Sequence, residues 1–158
     1  MARIQDLLDG DLIIEDLAAT DKPGVIREFA DLIVSRGNVR DRDDLVRVIM
    51  ERESQGSTGI GDGIAIPHAK SGEISDMVVA FGRSRRGIDF QSLDGGRAYL
   101  FFLLVTPQDR PAEHLKTLAR ISRIMRSAEL RERLKACVSR QEILNLLLEE
   151  DRRYSNGK

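Results

Sequence analysis

Pro67-His68 closes a glycine-rich stretch in which Gly56, Gly59, Gly61 and Gly63 fall within eight residues and are followed by the apolar Ile64-Ala65-Ile66. Histidine is the side chain that most readily offers a neutral nucleophilic nitrogen near pH 7. A glycine-rich approach lets backbone N–H groups come close to an anion. Arg52 stands just ahead of the loop, and Ser57 and Thr58 add two hydroxyls. Together they form a set of phosphate-holding donors around one imidazole, with Ser57, Thr58, Gly59, Gly61 and Gly63 as the candidate cradle and Arg52 as the charge-stabilising group. The chemistry that suits such a set is phosphoryl transfer through His68, which consists mostly of positioning and charge stabilisation. It calls for no metal and no cofactor.

Other phosphate chemistries fit poorly. Gly56 and Gly61 have the spacing of a Walker loop, but Asp62-Gly63 stand where Lys and Ser/Thr belong. Gly59-Ile60-Gly61 is followed by Ile64 where a dinucleotide fingerprint needs its third glycine. His68 and His114 with Asp62 or Glu113 have the right ligand types for a metal, yet no His-x-His or His-Glu-x-x-His spacing supports one. The plainer alternatives are a tight helix-to-strand loop for the glycines, a surface ion pair with Glu51 or Glu53 for Arg52, and turn caps for Ser57 and Thr58.

The elements that must position these groups can be read from periodicity. An apolar run from Leu12 predicts a first strand reaching Leu17. Val25, Ile26, Phe29 and Ile33 recur at helical spacing between Lys22 and Arg36, with Pro23 in the first turn and Gly37 as a stop. A second helix is expected from Asp41, its cap, to about Glu53, burying Leu45, Val46, Val48 and Ile49. Ile64–Ile66, Met77–Phe81 and Ala98–Val105 are strand candidates. The last is apolar on both faces and so reads as a central strand covered on each side. Leu93-Asp94-Gly95-Gly96 reads as a turn. Helices are then expected over Pro111–Arg126, Ala128–Cys137 and Gln141–Glu149, the last with a capping box in Ser139 and Glu142. The order βααβββααα implies an α/β fold, a three-layer α/β/α sandwich.

A chain of 158 residues can bury a core of its own, so one domain over residues 1–150 is expected, with a flexible tail at 151–158. The balance of 25 basic against 26 acidic residues gives no reason to expect nucleic acid or anionic lipid as a partner. The single Cys137 excludes an internal disulfide and fits a reducing compartment. With no signal-like N-terminus and no apolar run long enough for membrane insertion, a cytoplasmic protein is expected. The basic residues of the last helices, among them Lys116, Arg120, Arg123 and Arg131, are expected to face solvent.

Glu51-Arg52-Glu53, Ser57-Thr58-Gly59-Ile60-Gly61 and Gly63-Ile64-Ala65-Ile66-Pro67-His68-Ala69 resemble the active-site signature of the fructose/mannitol-type enzyme IIA domains of the bacterial phosphotransferase system, a family that includes the nitrogen-regulatory IIA proteins. The resemblance continues through Gly87–Phe90, Ser92–Gly95, His114–Lys116 and Leu118–Ser122, and covers nearly the whole chain. It implies a mixed central sheet, a phosphoryl group accepted on His68 from the phosphocarrier HPr or a paralogue, and His114 beside it as a second active-site histidine stabilising the phosphoryl group. Arg52 would neutralise phosphate charge, and the recipient would be a IIB domain or a regulated target protein. Gly96-Arg97-Ala98 and Ala69-Lys70 depart from the commonest family pattern and leave the subgroup open. No IIB or membrane IIC domain is fused to the chain, which leans the expectation towards regulation rather than sugar transport.

Overall fold

The computed structural model describes residues 3–8 and 10–156. Its elements are α1 Ile4–Leu7, β1 Ile13–Ile14, α2 Lys22–Ser35, α3 Arg42–Ser54, β2 Gly59–Gly61, β3 Ile64–Ala65, β4 His68–Ser71, β5 Val78–Ile88, β6 Ala98–Pro107, α4 Pro111–Ile124, α5 Ala128–Ala136 and α6 Arg140–Asn156, with a 3-10 turn at Gly10–Leu12. The order is the predicted one with three additions, α1, β2 and β4. Among the described residues no helix is long and apolar enough to cross a membrane.

β6 is the axis of a mixed sheet. It pairs antiparallel with β5 on one side and parallel with β3 and β4 on the other; β1 adds in parallel beyond β5, and β2 antiparallel beyond β3. Every residue of β6 except Tyr99 is buried, as its two-sided apolar pattern requires. Phe81 and Phe90 meet Phe102 and Phe101 edge-on across the strands, with centroids 5.0 and 5.4 Å apart.

Neighbouring residues of β5 locate the helical layers. A Cβ on Gly82 would meet the Phe29 ring of α2 at 2.8 Å. The next side chain, Arg83, points to the opposite face and donates to the Leu134 carbonyl of α5 at 3.0 Å. Successive strand residues face opposite sides, so α2 and α5 cover the two faces of the sheet.

The helices start where their caps place them. The Asp21 carboxylate accepts the Gly24 N–H at 2.8 Å and that of Asp41 accepts the Asp44 N–H at 3.0 Å. Leu45 and Ile49 are buried in α3, whereas Val46 and Val48 are only half-buried. Ser139 accepts the Glu142 N–H at 3.2 Å, and Glu142 reaches back one residue beyond the cap, to the Val138 N–H at 3.0 Å.

Four expectations are corrected. β1 is two residues long rather than reaching Leu17, because the Glu15 carbonyl turns to the Arg83 Nε at 3.0 Å. β5 runs seven residues past Phe81, through a charged stretch that reads as its end. It does so because the wholly buried Arg83 guanidinium donates to main-chain carbonyls, those of Leu134, Lys135 and Cys137 in addition to Glu15. The stretch from Asp151, expected to be a flexible tail, continues α6 as far as Asn156; Gly157 and Lys158 lie outside the described residues. Asp151 is fully buried, accepting Arg120 Nε at 2.5 Å and the Gln5 N–H at 3.2 Å. Arg120, expected to face solvent, is thereby buried between α4 and α6, with the Tyr154 ring centroid 4.7 Å from its guanidinium carbon.

Candidate active site

His68 stands where a strand is interrupted. Ile64 faces Leu100 and His68 faces Leu104, so β3 and β4 follow β6 in one register with no residue gained or lost across Ile66-Pro67. Pro67 has no N–H to give to a ladder. The Ile66 carbonyl turns instead to the His68 ring and lies 2.7 Å from Nδ1. A carbonyl can only accept, so Nδ1 carries the proton and Nε2 is left with a bare lone pair.

Two further elements converge on this ring. α4 begins at Pro111 and places His114 in its first turns, the two imidazole centroids 5.3 Å apart and tilted by 57°. Thr106, near the end of β6, holds His114 Nδ1 at 2.8 Å through its hydroxyl. Arg52 lies in the last turn of α3, where one guanidinium nitrogen donates to the Gly56 carbonyl at 2.9 Å. His68, His114 and Arg52, together with Gln55, Lys70 and Gln108, line a cleft of about 500 Å³.

The cleft sets two imidazoles beside the Arg52 and Lys70 cations. Burial lowers the pKa of His68 below the ordinary 6.5, opposed by the Ile66 carbonyl and the Glu53 charge, while the Arg52 and Lys70 charges lower it further. His114 is lowered to about 4, first by burial, then by His68, Lys70 and Arg52. Both rings are therefore uncharged near neutral pH, and two cations face them.

The glycine-loop residues expected to cradle phosphate are not brought to this cleft. The Ser57 hydroxyl donates to the Phe90 carbonyl at 2.6 Å and accepts the Gly59 N–H at 3.0 Å. The Thr58 hydroxyl is buried against the Glu53 carboxylate, which Lys22 also meets at 2.8 Å. Gly59 and Gly61 lie in β2, and the turn to β3 uses positive φ at Gly61, Asp62 and Gly63, 98°, 57° and 80°. Gly59 also lies against Ser92, whose Oγ would be 2.5 Å from an added Cβ. Backbone geometry accounts for these glycines.

Residues not singled out from the sequence join the cleft instead. Lys70 is two residues beyond His68 on β4 and so shares its face, a signal available once that segment is read as a strand. Ile66, Thr106 and Gln108 carry no such local signal; the β4–β6 register sets Thr106 opposite Lys70, and Gln108 follows directly on the end of β6 at Pro107. Among the described residues no three His, Cys, Asp or Glu side chains gather as a metal site.

Comparison with known proteins places this geometry. Residues 6–150 match the family model described as phosphoenolpyruvate-dependent sugar phosphotransferase system, EIIA 2. The chain is 40% identical over 136 residues to a fructose-specific EIIA component of Haloferax volcanii, covering 86% of this chain and 88% of that protein. It is 36% identical over 150 residues to the fructose-specific EIIABC component of Bacillus subtilis, covering 95% of this chain but only 24% of that longer protein. The nitrogen regulatory protein IIA-Ntr of Neisseria meningitidis superposes with a TM-score of 0.86 at 29% identity, over 91% of this chain and 98% of that one. The IIA mannitol enzyme of Escherichia coli, solved in complex with phosphorylated IIB mannitol, shares the fold at a TM-score of 0.77 and 23% identity, over 90% of this chain and 97% of that one.

Proposed function

Since the chain belongs to the EIIA 2 family of the phosphoenolpyruvate-dependent sugar phosphotransferase system, we propose that His68 is its phosphoacceptor, taking a phosphoryl group on Nε2 from phospho-HPr or a paralogue. The observation that carries this reading is the bare Nε2 of His68, left so by the Ile66 carbonyl at Nδ1, in a cleft shared with His114, Arg52 and Lys70. The Nε2 lone pair attacks phosphorus as the P–N bond to the donor's histidine breaks, and the donor's imidazole, protonated on its other nitrogen, takes the bonding pair and leaves as a neutral ring. His68 keeps its Nδ1 proton throughout. As the ring becomes cationic, the Ile66 carbonyl at 2.7 Å strengthens its hold on that proton.

His114 and Arg52 stabilise the charge on the equatorial phosphoryl oxygens, and Lys70 adds a point charge from the face of β4 that His68 occupies. The cleft is open, as a site that must pass its phosphate on requires. The same step serves two ends. One is transfer to the cysteine of a IIB domain, and the other is control of a target protein by the phosphorylation state of His68. Relatives named for fructose transport and for nitrogen regulation both stand near this chain.

Phospho-HPr should label the wild-type protein on His68 alone, with an acid-labile, alkali-stable bond, and should not label His68→Ala. Full labelling of His68→Ala would defeat the reading. Offered to IIB domains of the same cell, the phosphorylated protein loses its phosphate to a cysteine if its role is transport. Phosphate retained against all of them, with a partner that binds only one state, marks regulation.

A further inference from the structure

We infer that Thr106 is a positioning residue that sets the tautomer of His114, so that this ring presents an N–H and not a lone pair to the phosphoryl group; the inference rests on the reading of His68 as phosphoacceptor. Thr106 has no exposed surface, and its Oγ1 lies 2.8 Å from His114 Nδ1. Among the described residues that hydroxyl makes no other hydrogen bond. A neutral imidazole carries a single ring proton. Were it on Nδ1, Thr106 would accept it, and its own O–H would be buried with nothing to donate to. With the hydroxyl donating to Nδ1 both groups are satisfied, and the ring proton sits on Nε2.

The Nδ1 edge of His114 is turned to Thr106, which leaves the Nε2 edge for the cleft that the ring lines beside His68. Two imidazoles 5.3 Å apart are thus set in opposite tautomers by two kinds of oxygen. The Ile66 carbonyl can only accept, and it makes His68 Nε2 a nucleophile. The Thr106 hydroxyl can donate, and it makes His114 Nε2 a donor. An inverted His114 would present a lone pair to the phosphoryl oxygens and repel them. Burial keeps His114 uncharged, so it cannot escape the choice by carrying a proton on both nitrogens.

The test combines nitrogen NMR of the imidazole rings with transfer from phospho-HPr, in wild type, Thr106→Val and Thr106→Ser. Wild-type His114 should be protonated on Nε2. Thr106→Val should move part of the His114 population to the Nδ1–H form and slow transfer on the order of tenfold, the effect of losing one buried hydrogen bond. Thr106→Ser should restore both readouts, and Thr106→Val should add nothing in a His114→Ala background. A wild-type His114 protonated on Nδ1 overturns the inference, as does a folded Thr106→Val protein with unaltered tautomer and rate. If Thr106→Val does not fold, the wild-type spectrum still decides the tautomer. If the wild type takes no phosphate at all, the phosphoacceptor reading fails by its own assay, while the nitrogen shifts still uphold or overturn the tautomer.

Discussion

Replacing Asp151 by alanine strikes the contact that ties the helix carrying His114 to the C-terminal helix. The Asp151 carboxylate has no exposed surface and Arg120 has 4%. Removing one partner of a buried pair costs about 3–5 kcal/mol, because the surviving charge is left without its counterion. Arg120 would keep the residue 151 carbonyl at 3.1 Å, the Ser155 hydroxyl and the face of Tyr154, which argues for the lower end. The Gln5 N–H would lose its acceptor as well, adding about 1 kcal/mol. A net loss of about 4 kcal/mol lowers the melting temperature of a chain this long by about 8–16 °C. Urea and thermal unfolding followed by circular dichroism measure both quantities. Replacing both partners together, Arg120→Met with Asp151→Leu, should recover most of the loss, since no orphaned charge remains. A loss below about 1 kcal/mol in Asp151→Ala would refute the argument that this pair, and not a frayed terminus, ends the fold.

Two further outcomes follow from the site. Because His68 and His114 both titrate below the ordinary 6.5, the rate of phosphoryl transfer should stay level as pH falls through 6.5 and decline only below it; a midpoint at or above 6.5 would contradict the burial argument. Folding stability should carry the same sign. Between pH 6.5 and about 4 the unfolded chain binds a proton that folded His114 resists, so stability falls with pH across that window, and less steeply in His114→Gln. Arg52→Lys should slow transfer about tenfold, since one guanidinium nitrogen is committed to the Gly56 carbonyl and an ammonium cannot hold the loop and a phosphate oxygen with a fixed fork. A rate within twofold of wild type would remove Arg52 from the mechanism.

Much of the site was legible because its signals are local. The glycine-rich approach ending in Pro67-His68 marks the histidine, Pro23 marks the first turn of α2, and Asp41 announces the helix that follows it. The two-sided apolar run of β6 declared a central strand. The glycine loop misled for a reason that is also local. Glycine serves positive φ and close backbone approach as readily as anion binding, and Gly59, Gly61 and Gly63 are used for the former.

By itself, the sequence determined the class of the fold and the order of its main elements, and it singled out His68 and Arg52, which the fold brings to one cleft, because periodicity, caps and breakers act over a few residues. Only the tertiary structure decided what lies opposite. Arg83 reads as the polar end of a strand until the carbonyls at the end of α5 surround it, and Asp151 reads as a tail until Arg120 meets it from α4. The tautomers inferred for the two histidines rest wholly on tertiary contacts. They depend on whether a carbonyl or a hydroxyl stands at each Nδ1, and for His114 that oxygen arrives with β6 through packing that no local pattern encodes.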